Sequence, residues 1–148
     1  MASWAEFEAA APALAASGRA LLYQYGAGLA FLATTRADGG PRLHPICPTV
    51  YEGQLYAFIT NSPKRRDLLR DGRYALHTFL GEANDEFMLL GRANVEDHSA
   101  LYETVAAALQ ATGVRQEHDD LLFTFAIERA FYSPAGSATE PPLRSKWP

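Results

Sequence analysis

The apolar positions of the chain follow two different periods. Residues 3–24 are rich in Ala and Leu. Pro12 divides them into two short helices, because a proline inside a helix removes a backbone hydrogen bond and clashes with the turn before it. Beyond Gly26 and Gly28 the pattern changes to short runs of β-branched, aromatic and aliphatic residues closed by turn signals, which is how strands read. Residues 29–36 form the first predicted strand, and Asp38-Gly39 marks a hairpin turn after it. Residues 42–51 form the second. Its Pro45 and Pro48 cannot donate ladder hydrogen bonds, which places it at an edge, at a bulge or against a ligand. Glu52-Gly53 turns the chain into a third strand, 54–60.

A helix follows from Pro63 to about Asp71, then a strand over 73–80, a polar turn, and a strand over 86–96. Leu101, Tyr102, Val105 and Leu109 keep an apolar face at helical spacing and predict a helix over 99–111. A last strand covers 121–132. The segment 133–148, rich in Pro, Gly and Ser, reads as an extended tail. Six strands in hairpin-like succession predict a mainly β (α+β) fold: a six-stranded antiparallel barrel with short flanking helices. Helices do not alternate with strands as a doubly wound fold requires. One domain over residues 1–148 is expected, with a helical region at 1–25.

Composition narrows the function classes. The 148 residues carry 13 Lys and Arg against 17 Asp and Glu, a net charge of −4. A nucleic-acid binder usually shows a basic face, so no nucleic-acid partner is expected. A local basic site in an acidic chain fits a small anion better. With Cys47 alone, no intramolecular disulfide can form. No apolar run approaches the roughly 20 residues of a membrane span, and no basic residue precedes Arg19. A soluble, cytoplasmic protein without a membrane partner is expected.

The local basic site is Ser62-Pro63-Lys64-Arg65-Arg66. Ser62 reads as a helix N-cap and Pro63 as the first helical residue. Three cations in the first turn oppose the helix dipole, which favours anions there by about 0.3–1 kcal/mol per charge. Free backbone N–H groups at the same end bind anions. The segment therefore reads as a phosphate site at a strand-to-helix junction, or as a solvated basic turn.

The order of these features resembles one family. Leu32-Ala33-Thr34, Asp38-Gly39-Gly40-Pro41-Arg42-Leu43-His44-Pro45, Ser62-Pro63-Lys64-Arg65-Arg66-Asp67-Leu68 and Asp85-Glu86-Phe87 through Gly91-Arg92-Ala93 are similar to the flavin-binding split-barrel relatives of pyridoxamine 5′-phosphate oxidase. The likeness runs from about residue 20 to residue 132. It implies an FMN-binding split barrel, a homodimer with flavin sites at the subunit interface, and flavin-dependent oxidoreduction of a small-molecule substrate. The flavin ring would lie along Arg42, Leu43, His44, Pro45 and Ile46. Ile59 and Thr60 would border it, and Ser62 and Lys64, with Arg65 adjacent, would hold the phosphate. Lys146 and Trp147 stand where the second subunit would contribute. Since Pro45 and Pro48 lack an N–H, Leu43, His44 and Ile46 are the expected backbone donors. Of the three cations, Lys64 is the expected direct contact, Arg65 the second, and Arg66 is left to solvent. The deazaflavin F420, a haem-binding or haem-degrading member, and a non-catalytic flavin carrier are the alternatives.

The remaining chemistry is sparse. His77 reads as structural, His98 as a cap or surface residue, and His118 as part of a solvated loop. His44 reads as cofactor-proximal or structural. The four histidines and Cys47 show no metal-ligand spacing. Cys47 reads as a small core residue, with a reactive thiol as the alternative. Glu86 reads as part of a solvated turn or as a group near the cofactor pocket. Trp4 and Phe7 read as packing residues. The tail lacks the Arg-x-His-x-Arg segment of true pyridoxamine 5′-phosphate oxidases, which argues against that reaction.

Overall fold

A computed structural model of the chain describes residues 1–135 and 144–148. The tail segment 136–143, expected to be extended, lies outside the described residues. The elements are α1 Trp4–Ala10, α2 Pro12–Leu22, β1 Ala30–Thr35, β2 Pro41–Ile46, β3 Thr49–Tyr51, β4 Gln54–Ile59, α3 Pro63–Arg70, β5 Arg73–Thr78, β6 Glu86–Val95, α4 Ser99–Gln110, β7 Leu121–Ser133 and β8 Ser145–Trp147. Pro12 opens α2 directly after α1 ends, as the sequence predicts.

Among the described residues all strands join one antiparallel sheet of eight, in the order β2-β1-β5-β6-β7-β4-β3, with β8 pairing β7. The two ends of that path are β2 and β3, and only Cys47 and Pro48 lie between them. The sheet must therefore curl until its ends meet, which makes it a barrel split at Cys47-Pro48. Two of the eight strands were not expected. The predicted second strand breaks into β2, which pairs β1, and β3, which pairs β4. Pro48 has no N–H to carry a ladder through the break. The third residue from the C-terminus belongs to β8, which pairs Ala130–Tyr132 of β7.

The barrel interior is apolar. Leu32, Leu55, Ile59, Leu76, Phe123, Phe125 and Ile127 are almost fully buried. α1 and α2 close over it, contributing Trp4, Phe7 and Leu22. Trp4 and Phe7 are 0% exposed, so both are packing residues, as read from their helical spacing. A capping box between Ser3 and Glu6 starts α1. On the other side α4 lays Val105 against Tyr56 and Leu122. At the split, Val50 N–H donates to the Tyr23 hydroxyl at 2.7 Å, which ties β3 to the end of α2. Gly28 is required there: a Cβ on it would lie 1.8 Å from the Pro48 carbonyl oxygen.

The outer face of the sheet is also partly apolar. Residues directly opposite one another across an antiparallel pair share a face. The register therefore sets Pro45, Phe31, His77, Met88, Phe131 and Lys146 in one row across six strands. Leu43, Ala33, Ala75 and Leu90 form a parallel row beside it.

Candidate functional site

Helix α3 sets two of its faces to different tasks. Pro63, Arg66, Asp67 and Arg70 stand at i, i+3, i+4 and i+7, one face of a helix. Together with Arg36, Ala37, Asp38 and Arg42 of the β1–β2 hairpin they line a cleft of about 340 Å³. Four arginines and two aspartates meet in it. Asp67 is buried, and it accepts hydrogen bonds from Thr34 Oγ1 at 2.9 Å, Arg42 Nε at 2.6 Å and Arg70 Nη2 at 3.2 Å. Burial alone would raise the Asp67 carboxyl pKa, but the hydrogen bonds from Arg42, Thr34 and Arg70 outweigh it and hold the pKa below its usual value. Arg70 also donates to the Thr35 carbonyl. Asp67 thus binds β1, β2 and α3 into one unit and holds Arg42 against the first turns of α3.

The helix start is built for an acceptor. Ser62 has extended backbone and makes no side-chain cap; its Oγ instead donates back to the Thr60 carbonyl at 2.8 Å. Pro63 has no N–H, so the first-turn amides of Lys64 and Arg65 are left without a side-chain acceptor at a positive dipole end. Lys64 lies on the next face of the helix and is half-buried. Desolvation pulls its pKa down, and the nearby Asp120 carboxylate partly offsets that. Arg65 turns away from the cleft and donates to the Asp119 carbonyl at 2.7 Å. Arg66 is exposed, as expected, and borders the arginine cleft.

Strand β2 has one open edge. Arg36 N–H donates to the Gly40 carbonyl at 2.8 Å. Since hydrogen-bonded pairs alternate along an antiparallel ladder, the register makes Thr34/Arg42, Leu32/His44 and Ala30/Ile46 the bonded pairs. Positions 41, 43 and 45 then face the open edge. Pro41 and Pro45 cannot donate, so Leu43 alone offers an N–H there. This corrects the expectation that His44 and Ile46 are also donors: their amides are spent on β1. Two prolines on an open edge also keep other strands from adding to it.

The other predicted residues scatter. Ile59 is 0% exposed inside the barrel, and Thr60 follows it at the mouth of the turn into α3. Trp147 faces inward, with its ring centroid 5.2 Å from that of Phe7 of its own chain. Lys146, one residue away, faces out. Both pair with the far end of β7, about ten residues along that strand from the Leu121 end that adjoins β4 and α3. Within one chain they do not meet Lys64. His98 caps α4, its Nδ1 accepting from Leu101 N–H at 3.4 Å. His118 is exposed in its loop. Cys47 is half-buried, and desolvation pushes its thiol pKa up, which leaves it a poor nucleophile at neutral pH.

A second cleft, of about 530 Å³, opens on the outer face between β5, β6, β7 and β8. His77, Glu86, Met88, Phe131, Tyr132, Ser133, Arg144, Ser145 and Lys146 line it. His77, expected to be structural, is half-exposed in its wall. Sequence spacing gave no sign of this cleft, because β8 pairs with a strand more than ten residues upstream. The arginine cleft did carry a signal: the i, i+3, i+4, i+7 spacing of Pro63, Arg66, Asp67 and Arg70.

Among the described residues no three His, Cys, Asp or Glu side chains converge as a metal site, and no helix is long and apolar enough to cross a membrane. No protein-family model and no curated protein matches the sequence. Solved structures do match. The heme binding protein from Mycobacterium smegmatis superposes with a TM-score of 0.66 at 17% identity, over 89% of this chain and 57% of that one. The present chain thus spans little more than half that protein's length. A NimC/NimA family protein from Clostridium acetobutylicum gives 0.62 at 20% identity, over 88% and 93% of the two chains. A candidate pyridoxamine 5′-phosphate oxidase from Listeria innocua gives 0.61 at 15%, over 76% and 91%. The chain has the split-barrel fold of these pyridoxamine 5′-phosphate oxidase-like proteins.

Proposed function

We propose that the chain binds flavin mononucleotide and acts as a flavin-dependent oxidoreductase on a small molecule. The observation that carries this reading is the uncapped, cation-rich start of α3, whose Pro63, Arg66 and Asp67 share a cleft with Arg42 of the edge strand β2. Lys64 and Arg65 supply first-turn amides, and Arg42, Arg66 and the Lys64 ammonium supply charge for a phosphate, where charge-assisted bonds are the strong kind. Leu43 supplies the one edge N–H for the flavin ring. Bound flavin would supply hydride transfer; the chain supplies position and local charge. The phosphate-bearing deazaflavin F420 would suit the same donors.

A homodimer belongs to this reading. Leu43, Tyr25 and Leu80 are 62%, 63% and 50% exposed, and Tyr25, Phe79 and Phe31 form an edge-to-face chain on the outer surface. A second copy covering that face would also enclose the Leu43 edge.

Titration of the purified chain with FMN and with riboflavin tests the proposal, since only the former has the phosphate. Lys64→Ala and Arg66→Ala should each weaken FMN by about tenfold, the cost of one charged contact near 1.4 kcal/mol, and leave riboflavin nearly unchanged. Equal loss for both ligands removes the phosphate assignment. Failure to bind FMN at all removes the flavin reading.

One observation favours a second reading, a haem-binding protein like the mycobacterial neighbour. His77 Nδ1 lies 2.6 Å from the Thr78 carbonyl oxygen and donates to it, which leaves Nε2 in the outer cleft, 3.7 Å from Glu86 Oε1. An imidazole whose second nitrogen is held by a carbonyl is how iron-binding histidines are oriented. A Soret band on adding haem that changes in His77→Ala would support this; an identical spectrum would exclude His77.

A further inference from the structure

The residue before β7 is a buried acid that the flavin reading does not use. Asp120 is 6% exposed. Leu121 pairs with Ile59, so Asp120 stands beside Thr60, just ahead of Ser62 and the start of α3. Its Oδ2 accepts from Glu117 N–H at 2.8 Å. Its carbonyl accepts from the Tyr102 hydroxyl of α4 at 3.1 Å. Its Oδ1 is buried and has no hydrogen-bond partner. A buried carboxylate oxygen left unpaired is costly, so it points to a donor that arrives from elsewhere. The same junction holds an ammonium in the complementary state. Lys64 is half-buried and makes no contact ion pair among the described residues. Arg65 beside it is committed, its Nη1 donating to the Asp119 carbonyl at 2.7 Å. That bond fastens the first turn of α3 to the turn before β7. Lys64 is the cation left for Asp120 Oδ1.

We propose that Asp120 is the resident counter-ion of Lys64, a positioning residue whose unpaired oxygen draws the ammonium toward the start of α3. Its effect on a phosphate there rests on the flavin reading; the pairing itself does not. A lysine is a point charge on a flexible stem, and holding it before a ligand arrives lowers the ordering cost of binding. The charges agree with this pairing. Burial pulls the Lys64 pKa down, and the Asp120 carboxylate pushes it back up, so Asp120 sustains the charged form. Burial is also the largest effect on Asp120, and it raises the carboxyl pKa. The Glu117 N–H and the Arg65 guanidinium lower it, while the Asp119 and Glu117 carboxylates raise it. Glu117, His118 and Asp119 are exposed, so solvent and salt screen their charges. Without Lys64, Asp120 would face a bound phosphate as a buried like charge. The two residues are therefore coupled in phosphate binding.

Lys64 and Lys146 are the only lysines in the chain, so the full chain labelled with ¹³Cε-lysine shows two signals that titrate separately. Lys64 should titrate at a lower pH in Asp120→Asn than in the wild-type chain, while the exposed Lys146 stays where it is. Asparagine keeps an acceptor for Glu117 N–H, and Asp120→Ser is a second neutral variant should the first not fold. Asp120→Glu, which restores the charge, should move Lys64 back toward the wild-type value. The second arm is a double-mutant cycle read by FMN titration. Lys64→Ala should cost about tenfold in the wild-type chain but at most about threefold in the Asp120→Asn chain, because positioning and stranded charge are lost together. Riboflavin, without the phosphate, should show no such coupling. An unmoved Lys64 signal in both neutral variants would overturn the proposal, as would losses of FMN affinity that simply add. The lysine titration needs no ligand, so a chain that fails to bind FMN loses the flavin reading while the pairing is still decided.

Discussion

Replacing Asp67 by asparagine should cost the fold about 2–3 kcal/mol at neutral pH, and the reason lies in which groups the carboxylate holds. Asp67 is 3% exposed. It accepts from Thr34 on β1, Arg42 on β2 and Arg70 on its own helix. Charged hydrogen bonds contribute about 1.5–3 kcal/mol each, but taking a carboxylate out of water costs several kcal/mol, so the three bonds do not simply add. Removing one member of a buried pair typically costs about 3–5 kcal/mol, because the partner charge is stranded. Here the partners are less buried: the Arg42 and Arg70 side chains are 27% and 41% exposed. They can rehydrate, which moves the expected cost below that range. Asparagine keeps the shape and one acceptor, yet turns an N–H₂ toward donors.

The same substitution has a signature in pH. Burial alone would raise the Asp67 carboxyl pKa, but its hydrogen bonds hold it below the ordinary value. A carboxyl with a depressed folded pKa adds stability that is complete above its unfolded pKa, about 3.9 for Asp. That stability is lost as pH falls through the folded value. The wild-type chain should therefore lose stability below about pH 4 more steeply than Asp67→Asn, which has nothing to protonate there. Urea unfolding followed by the fluorescence of buried Trp4, from neutral pH down to about pH 3, measures both effects. A variant within about 0.5 kcal/mol of wild type at neutral pH, or one whose acid limb runs parallel to it, would refute the assignment of Asp67 as the bolt between hairpin and helix.

Three further outcomes follow from single contacts. Gly18→Ala, which in an open helix would gain about 1 kcal/mol, should instead lower the melting temperature: its Cβ would lie 2.4 Å from the ring of Phe87, which is 0% exposed and hemmed in by Trp4 and Phe7. An unchanged or raised midpoint in a thermal melt would show that the ring can yield. Trp147→Ala should cost about 1–2 kcal/mol by uncovering Phe7 and loosening β8, read as a lower urea midpoint; no change would mean that the inward-facing ring is not packed as described. Cys47, with its thiol pKa raised by burial, should react with iodoacetamide at neutral pH more slowly in the folded than in the urea-unfolded chain, and equal rates would show the thiol to be open.

Much of the barrel was legible because its signals are local. The hairpins at Asp38-Gly39 and Glu52-Gly53 lie between runs of strand-forming residues, and at the second both residues take positive φ, 45° and 76°, the geometry of a tight hairpin turn. The start of α3 at Pro63 was equally plain from Ser62-Pro63. The break at Cys47-Pro48 was not, because Pro48 alone is compatible with an edge, a bulge or an end. What decides among these is whether the next residues pair with β1 or β4, and that is a long-range fact. Arg42 shows the same limit at the site. Its place beside a phosphate helix was suggested by the order of motifs, but its grip on Asp67, twenty-five residues later, depends on how α3 packs across β1.

The C-terminal residues make the sharpest case, because one step of strand register reverses their meaning. Read as a tail, Lys146 and Trp147 could both reach into one ligand site. Placed in β8, neighbours must point to opposite faces. Trp147, opposite Ala130, goes into the core against Phe7, while Lys146, opposite Phe131, ends the outer row that begins at Pro45. Had β8 paired one residue out of step, the tryptophan would lie in the outer cleft and the lysine would be forced toward the apolar interior, where an unpaired ammonium is costly. Burial of the indole and solvation of the ammonium therefore select the same register. That register gives the outer cleft its cationic end. The outward placement of Lys146 and the Trp147–Phe7 contact should accordingly fail together in any variant that shifts β8, and separately in variants that change only one side chain.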